Sequence, residues 1–426
     1  MRCVAMVLAC SVFLGFATTA PEKGAVTGGD GAPGIHGSGA PARPGPGPQG
    51  PGPRGKPAAG RLPPGPSLPG PGETPAAEMP PRVAAVMERM SLRERIAQRF
   101  ITFIPRDFSS QDTEEFLRKN KPGGVVLYPW NCRTSGETRS LSRLVHTTLT
   151  RATGGVGPII CADQEGGRVR ALRFDGMIDL PSPHEIGRGG SATLVGLYAY
   201  VNAVQMKELG FNMNLAPVLD ISETGDRSIV GDRSYGGDPR RVGDYARAYI
   251  AAAAEARLIP VAKHFPGHGI TRVDSHGSLP VAEATAAELM ETHILPFRAA
   301  VEAGIQAVMT AHILYPAIDA DRPATLSRRI LTDILRRDLG FDGVIISDGL
   351  EMGALSKNYS MRETLRWAII AGVDLMLAYL RYPIGEMIDL VEDLVAEGEL
   401  TVDDIDRGTE RVLRLKLAHG LLDGAG

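Results

Sequence analysis

Eight short apolar runs punctuate the chain, at residues 100–104, 124–128, 158–162, 211–219, 259–263, 306–311, 343–347 and 373–377. Each has the length of a buried strand, and amphipathic segments separate them, including residues 140–150, 194–209, 240–256, 286–303, 328–339, 361–371 and 383–397. Residues 87–99 read as a helix ahead of the first run, with Ser91 as its cap, and residues 403–419 as a closing helix. Eight strand–helix repeats predict an α/β fold, a (β/α)8 TIM-type barrel. The competing arrangement, a doubly wound open sheet, calls for a glycine-rich phosphate turn after its first strand, and none follows residues 100–104. Most polar clusters sit where the runs end: Asp163-Gln164-Glu165, Asp220, Lys263-His264, His312 and Asp348. In a barrel those ends converge on one mouth.

The globular pattern occupies residues 81–426. Ahead of it, residues 21–80 are about half proline plus glycine without a triplet period. This stretch reads as a disordered linker, too poor in apolar side chains to offset its ordering entropy. Residues 1–20 place Arg2 before an apolar run and end in small residues, the pattern of a signal peptide. Leu8-Ala9-Cys10 resembles a lipid attachment site, although the apolar stretch before it is very short. The protein is therefore expected to be exported (periplasmic, cell-surface or secreted), with cell-wall or membrane-surface association through its N-terminal segment. A net charge of −3 gives no electrostatic case for nucleic acid. Cys132 and Cys161 remain once a signal is removed. An exported location permits a disulfide between them, while Cys161 within its apolar run also fits a buried thiol.

The densest chemistry lies in residues 263–276, Lys-His-Phe-Pro-Gly-His-Gly-Ile-Thr-Arg-Val-Asp-Ser-His, which holds three of the nine histidines. It continues directly from an apolar run and is broken by glycine and proline, as expected of a loop at a barrel mouth. His264, His268, Asp274 and His276 could be imagined around zinc, but their spacing fits no familiar ligand pattern, so no metal or cofactor is expected.

These segments together resemble the catalytic domain of family 3 glycoside hydrolases, in the β-N-acetylglucosaminidase (β-hexosaminidase) branch. The resemblance rests on Asp163 to Val169, Ala216 to Asp220, Gly231 to Tyr235, Lys263 to Gly269 with Asp274-Ser275-His276, and Ser347-Asp348. It implies a retaining exo-β-N-acetylglucosaminidase acting on terminal β-linked GlcNAc of peptidoglycan- or chitin-derived glycans. It further implies that Asp348 is the nucleophile, and that His276 is the acid/base, oriented by Asp274. Asp163, Arg233, Lys263, His264 and Arg168 would hold the sugar, with Arg168 and His268 open to a second reading as loop supports. His312 and Asp220 share that ambiguity. The chemistry is coherent: retention needs a nucleophile below the anomeric carbon and a proton donor beside the leaving oxygen. A histidine titrates near neutrality and a carboxylate stabilises its cation.

One departure stands out. The family often carries arginine eight residues after the Asp163 position, where this chain has Ala171; Arg170 or Arg173 would have to replace it. Two other functions remain open. A phosphorylase would resolve the same intermediate with phosphate, and a non-catalytic barrel would bind glycan without turnover. A monomer is expected.

Overall fold

All eight apolar runs become parallel strands: β1 (Phe100–Phe103), β2 (Gly124–Val126), β3 (Ile159–Ala162), β4 (Met213–Asn214), β5 (Ile259–Phe265), β6 (Ala307–Thr310), β7 (Val344–Gly349) and β8 (Leu375–Leu377). Each pairs with its neighbours in sequence and β1 pairs with β8, so the sheet closes into a barrel. The computed structural model describes residues 78–222, 229–271, 274–378 and 382–422. The expected signal segment, Cys10 and the linker through residue 77 lie outside these described residues.

Alternation along the strands sorts side chains into two layers. Ile101, Val126, Ile159, Cys161, Val261, Met309, Ile346 and Leu377 fill the barrel interior. Phe100, Ala262, Val308 and Ile345 face outward beneath the helices. Cys161 is buried in the inner layer and Cys132 under the helices, and both thiols are free.

Three expectations needed adjustment. Residues 87–99 are not one helix: Pro81–Arg89 ends at Met90, and Ser91 caps a second helix, Leu92–Ala97, through a reciprocal box with Glu94. Residues 286–303 are likewise divided, into Ala286–Glu288, a wide turn at Leu289–His293, and Leu295–Glu302. Pro296 cannot donate within a helix interior, so the last segment restarts just ahead of it. The long run 211–219 gives regular strand only at Met213–Asn214. Pro217 lacks an N–H, but the backbone still tracks β5: Lys263 N–H donates to the Pro217 carbonyl at 3.1 Å and Leu219 N–H to that of Lys263 at 2.6 Å.

Two strands extend further than their apolar runs, and both contain a register shift. Between Ala262↔Val308 and Phe265↔Thr310, β5 spends three residues against two on β6. Between Ile346↔Leu375 and Gly349↔Leu377, β7 does the same against β8. An extra residue bends the strand and re-aims its side chains. The shifted residues are Lys263-His264 in one case and Ser347-Asp348 in the other.

Candidate active site

The β5 shift turns Lys263 into a buried network of charge. Its Nζ lies 2.6 Å from Asp163 Oδ1 and 2.7 Å from Glu165 Oε1. Arg233, from the turn Gly231–Arg233, grips Glu165 with two bonds, Nε to Oε2 at 2.8 Å and the guanidinium NH2 to Oε1 at 2.7 Å. Two cations and two anions thus balance. Burial would raise the Glu165 carboxyl, but Arg233 and Lys263 hold it down to about 2. Burial would likewise discharge Lys263, and Asp163 and Glu165 keep its pKa above the usual lysine value. Asp163 alone faces out of the network, with 36% of its side chain exposed. Its Oδ2 takes no hydrogen bond among the described residues, which leaves an acceptor for a ligand hydroxyl.

Asp220 organises the next stretch. Its Oδ2 lies 2.7 Å from His264 Nδ1, and its Oδ1 accepts the backbone N–H groups of His264 and His268 at 3.2 and 2.6 Å. Burial alone would raise this carboxyl; His264 and then His268 bring it to about 2. With Nδ1 bound to a carboxylate, His264 presents Nε2 to a ligand, as an acceptor when neutral and a donor when charged. The following loop folds tightly, since a Cβ on Gly269 would meet the Ile221 carbonyl oxygen at 1.9 Å. His268 is consumed by this loop: its ring bonds to Ser275 Oγ and Thr271 Oγ1, each at 3.2 Å.

Asp348 sits at the β7 shift. Its Oδ1 accepts the Gly349 N–H at 2.7 Å. Burial pushes its carboxyl up, but the rings of His312 and His264 outweigh it and the pKa lies below the usual value. His312 is itself held in place: Nε2 donates to the Gly349 carbonyl at 2.9 Å, while Nδ1 lies 2.7 Å from Thr325 Oγ1. The carbonyl partner requires a hydrogen on Nε2, and burial lowers the pKa of the ring. His312 therefore clamps the backbone beside Asp348.

Asp274 and His276 form a separate, outlying pair. Asp274 Oδ1 lies 2.8 Å from His276 Nδ1 and also accepts the His276 N–H at 2.9 Å. Burial would raise the Asp274 carboxyl, and its bonds from His276 lower it. The His276 ring is 72% exposed, yet its backbone is anchored. Gly353 N–H donates to the His276 carbonyl at 3.1 Å, Ala354 N–H to that of Ser275 at 2.9 Å, and the Lys357 ammonium to that of Gly277. The loop thus docks on the helix Gly353–Ser356, which follows Asp348 by a few residues. A Cβ on Gly353 would stand 2.6 Å from the His276 oxygen. Gly353→Val should displace the loop and lower turnover of unactivated substrates by up to about 10²-fold, the cost of misplacing a reacting group by an ångström. Steady-state kinetics with unchanged circular dichroism checks this; undiminished turnover would show that docking is irrelevant.

Comparisons with known proteins identify the family. The family model described as "Glycosyl hydrolase family 3 N terminal domain" matches residues 91–415. The chain belongs to glycosyl hydrolase family 3. A beta-hexosaminidase of Bordetella avium (strain 197N) is 32% identical over 304 residues, covering 70% of this chain and 83% of the relative. One of Thiobacillus denitrificans is 36% identical over 261 residues, 60% of this chain and 70% of that protein. Among solved structures, a family 3 β-N-acetylglucosaminidase from Paenibacillus sp. str. FPU-7 superposes with a TM-score of 0.74 at 32% identity, covering 78% of this chain and 63% of that one. A β-N-acetylhexosaminidase from Beutenbergia cavernae gives 0.69 at 28% identity, covering 77% and 98%.

As a family 3 domain, the chain handles its arginines in its own way. Arg168 reaches Asp232 at 2.6 Å and the carbonyls of Ile229 and Val230, so its guanidinium ties one mouth loop to another. Ala171 is buried. Arg170 pairs with Asp179, and Arg173 donates to the carbonyls of Arg168 and Arg170, so both guanidinium groups are engaged within their own loop. The structure also adds Glu165, which sequence reasoning placed in a motif but gave no role. Its position two residues after Asp163 on a mouth loop was the available signal.

Proposed function

We propose that this family 3 β-hexosaminidase removes terminal β-linked N-acetylglucosamine from peptidoglycan- or chitin-derived glycans with retention, through a covalent glycosyl–Asp348 intermediate. One observation carries the reading: the loop bearing Asp274 and His276 is bonded to the residues that follow Asp348, so the two halves of the reaction share one support. The ionised Asp348 attacks the anomeric carbon while the His276 imidazolium gives its proton to the departing glycosidic oxygen. The neutral imidazole then takes a proton from the water that attacks the glycosyl ester, which frees Asp348 and restores the imidazolium. Asp274 orients the ring and stabilises its cation. Asp163 and His264 Nε2 contact sugar hydroxyls, and Lys263 and Arg233 keep those contacts rigid. The signal-like residues 1–20 support a role outside the cytoplasm on wall-derived glycans.

His276→Gly should cut turnover of chitobiose by about 10²- to 10⁴-fold, the usual worth of a general acid/base. An aryl β-N-acetylglucosaminide with an acidic phenol leaving group should lose far less, since its departure needs no proton. Equal losses on both would remove His276 as the donor. Running the wild-type assay with and without phosphate, and identifying free sugar or sugar phosphate, separates hydrolysis from phosphorolysis. No release from any aryl N-acetylglucosaminide, with no labelling by a mechanism-based fluorosugar, would defeat the proposal.

A further inference from the structure

The residues that make the sugar pocket come from β3 to β7 and their loops, leaving the β1 and β2 side of the mouth without a role. That side carries a cleft of about 550 Å³ between the loops after β1 and β2, lined by Arg106, Phe108, Trp130, Asn131, Arg133 and Glu137 among others. Its volume falls within the range of small-ligand sites. Two other clefts, one beside Arg336 and Asp374 and one beside Arg257 and Gln306, lie by the N-terminal ends of strands, away from the chemistry.

Strand register connects this cleft to the sugar pocket. Val126 of β2 lies opposite Cys161 of β3, and Leu127 N–H continues the ladder to the Cys161 carbonyl at 2.9 Å. Tyr128 and Asp163 each follow a paired position by two residues, just past the ends of these adjacent strands. The Tyr128 ring packs on the interior cluster at the top of the barrel. Trp130 stacks on it, with centroids 4.6 Å apart and planes at 21°. Trp130 is also fixed at its edge: its indole N–H donates to the Ile104 carbonyl at 3.3 Å, and Asn131 Nδ2 donates to the same oxygen at 3.1 Å. Asn131 Oδ1 accepts the Tyr128 N–H at 3.1 Å. The result is a pre-set aromatic pair past the end of β2, with Trp130 lining the cleft. At its rim, Arg133 pairs with Glu137 at 3.2 Å, while Arg106 makes no ion pair among the described residues.

We propose that this cleft is the leaving-group subsite, which takes the sugars beyond the cleaved bond of an oligosaccharide. A flat aromatic face bordered by amide and guanidinium donors matches a pyranose ring, which has an apolar C–H face and a rim of hydroxyls. An exo-acting enzyme holds one sugar in the inner pocket, so the rest of the chain must leave across the mouth, and here the aromatic pair receives it. This rests on the glycosidase reading above.

The test compares chitotetraose with an aryl β-N-acetylglucosaminide, whose leaving group is a single ring and not a run of sugars. Trp130→Ala should lower kcat/KM for chitotetraose about 3- to 10-fold, the scale of one aromatic stacking contact. The aryl substrate should change less than twofold, and Trp130→Phe should recover part of the loss. Arg106→Ala should act in the same direction. Equal losses on both substrates, or none on chitotetraose, would overturn the assignment. Calorimetric titration of chitotetraose into Asp348→Asn, with and without Trp130→Ala, gives an answer that needs no turnover. Weaker binding on loss of Trp130 supports the subsite even if the wild type cleaves neither substrate, an outcome that would instead defeat the glycosidase reading. Unchanged binding overturns the subsite.

Discussion

Asp348→Asn should lower hydrolysis of every β-N-acetylglucosaminide, activated or not, by on the order of 10⁴-fold or more, the scale of losses on removing a covalent nucleophile. The amide keeps the size of the side chain and leaves the Gly349 N–H with an acceptor, so the β7 register shift and the His312 clamp should survive. What disappears is the anion that forms the glycosyl ester, and no protonation of the leaving oxygen replaces it. The loss should therefore be independent of the leaving group, in contrast to that of His276→Gly. Asp348→Gly in the presence of azide should convert an aryl substrate to the glycosyl azide of inverted configuration, since azide then attacks from the vacated face as the aryl oxide departs. An Asp348→Asn protein that still turns over an aryl substrate within tenfold of the wild type would rule out Asp348 as the nucleophile.

Glu165→Gln should reduce both stability and activity. The substitution leaves Lys263 and Arg233 in a site where the lysine side chain is 2% exposed, with Asp163 as the remaining anion in the network. Breaking a buried pair by neutralising one partner costs roughly 3–5 kcal/mol, because an uncompensated charge stays behind. The pH dependence supplies a check on cause. The folded-state pKa of Glu165, about 2, lies below its ordinary value of 4.5. Its contribution is thus complete above pH ~4.5 and is lost as pH falls toward ~2. Urea midpoints of wild type and variant should differ most at neutral pH and converge as the solution is acidified through that window. A gap that stays constant across it would place the cause in packing rather than charge. Activity should fall as well, since Arg233 and Lys263 would no longer fix the pocket beside Asp163.

The barrel was legible because period and order are local properties. An apolar run reads as a strand wherever it lies, and eight of them alternating with helices leave few ways to bury all the faces. Local chemistry also explains where the reading slipped. Ser91 was recognised as a cap, but the break before it depends on the helix ending at Met90. Pro217 and Pro296 sat inside segments read as continuous, and their missing N–H groups interrupt both. Within the site, Asp274 and His276 are two residues apart, and their pairing was implied by the family resemblance. The Glu165–Arg233 pair spans 68 residues and the Asp220–His264 pair 44, and no sequence period announces them.

The sequence by itself determined the fold class, the end of the barrel that carries chemistry, and the residue types available there, since strand length and side-chain alternation are set by neighbours along the chain. Tertiary structure decided how those residues divide their work. Arg168, open between a sugar ligand and a loop support, spends its guanidinium on a neighbouring loop. Glu165, given no role, sits at the centre of the buried charge network. Closing the barrel brings distant strands within hydrogen-bonding distance, and the register shifts in β5 and β7 then set the direction of Lys263, His264 and Asp348. Burial makes each of those contacts strong, and burial is a property of the assembled molecule.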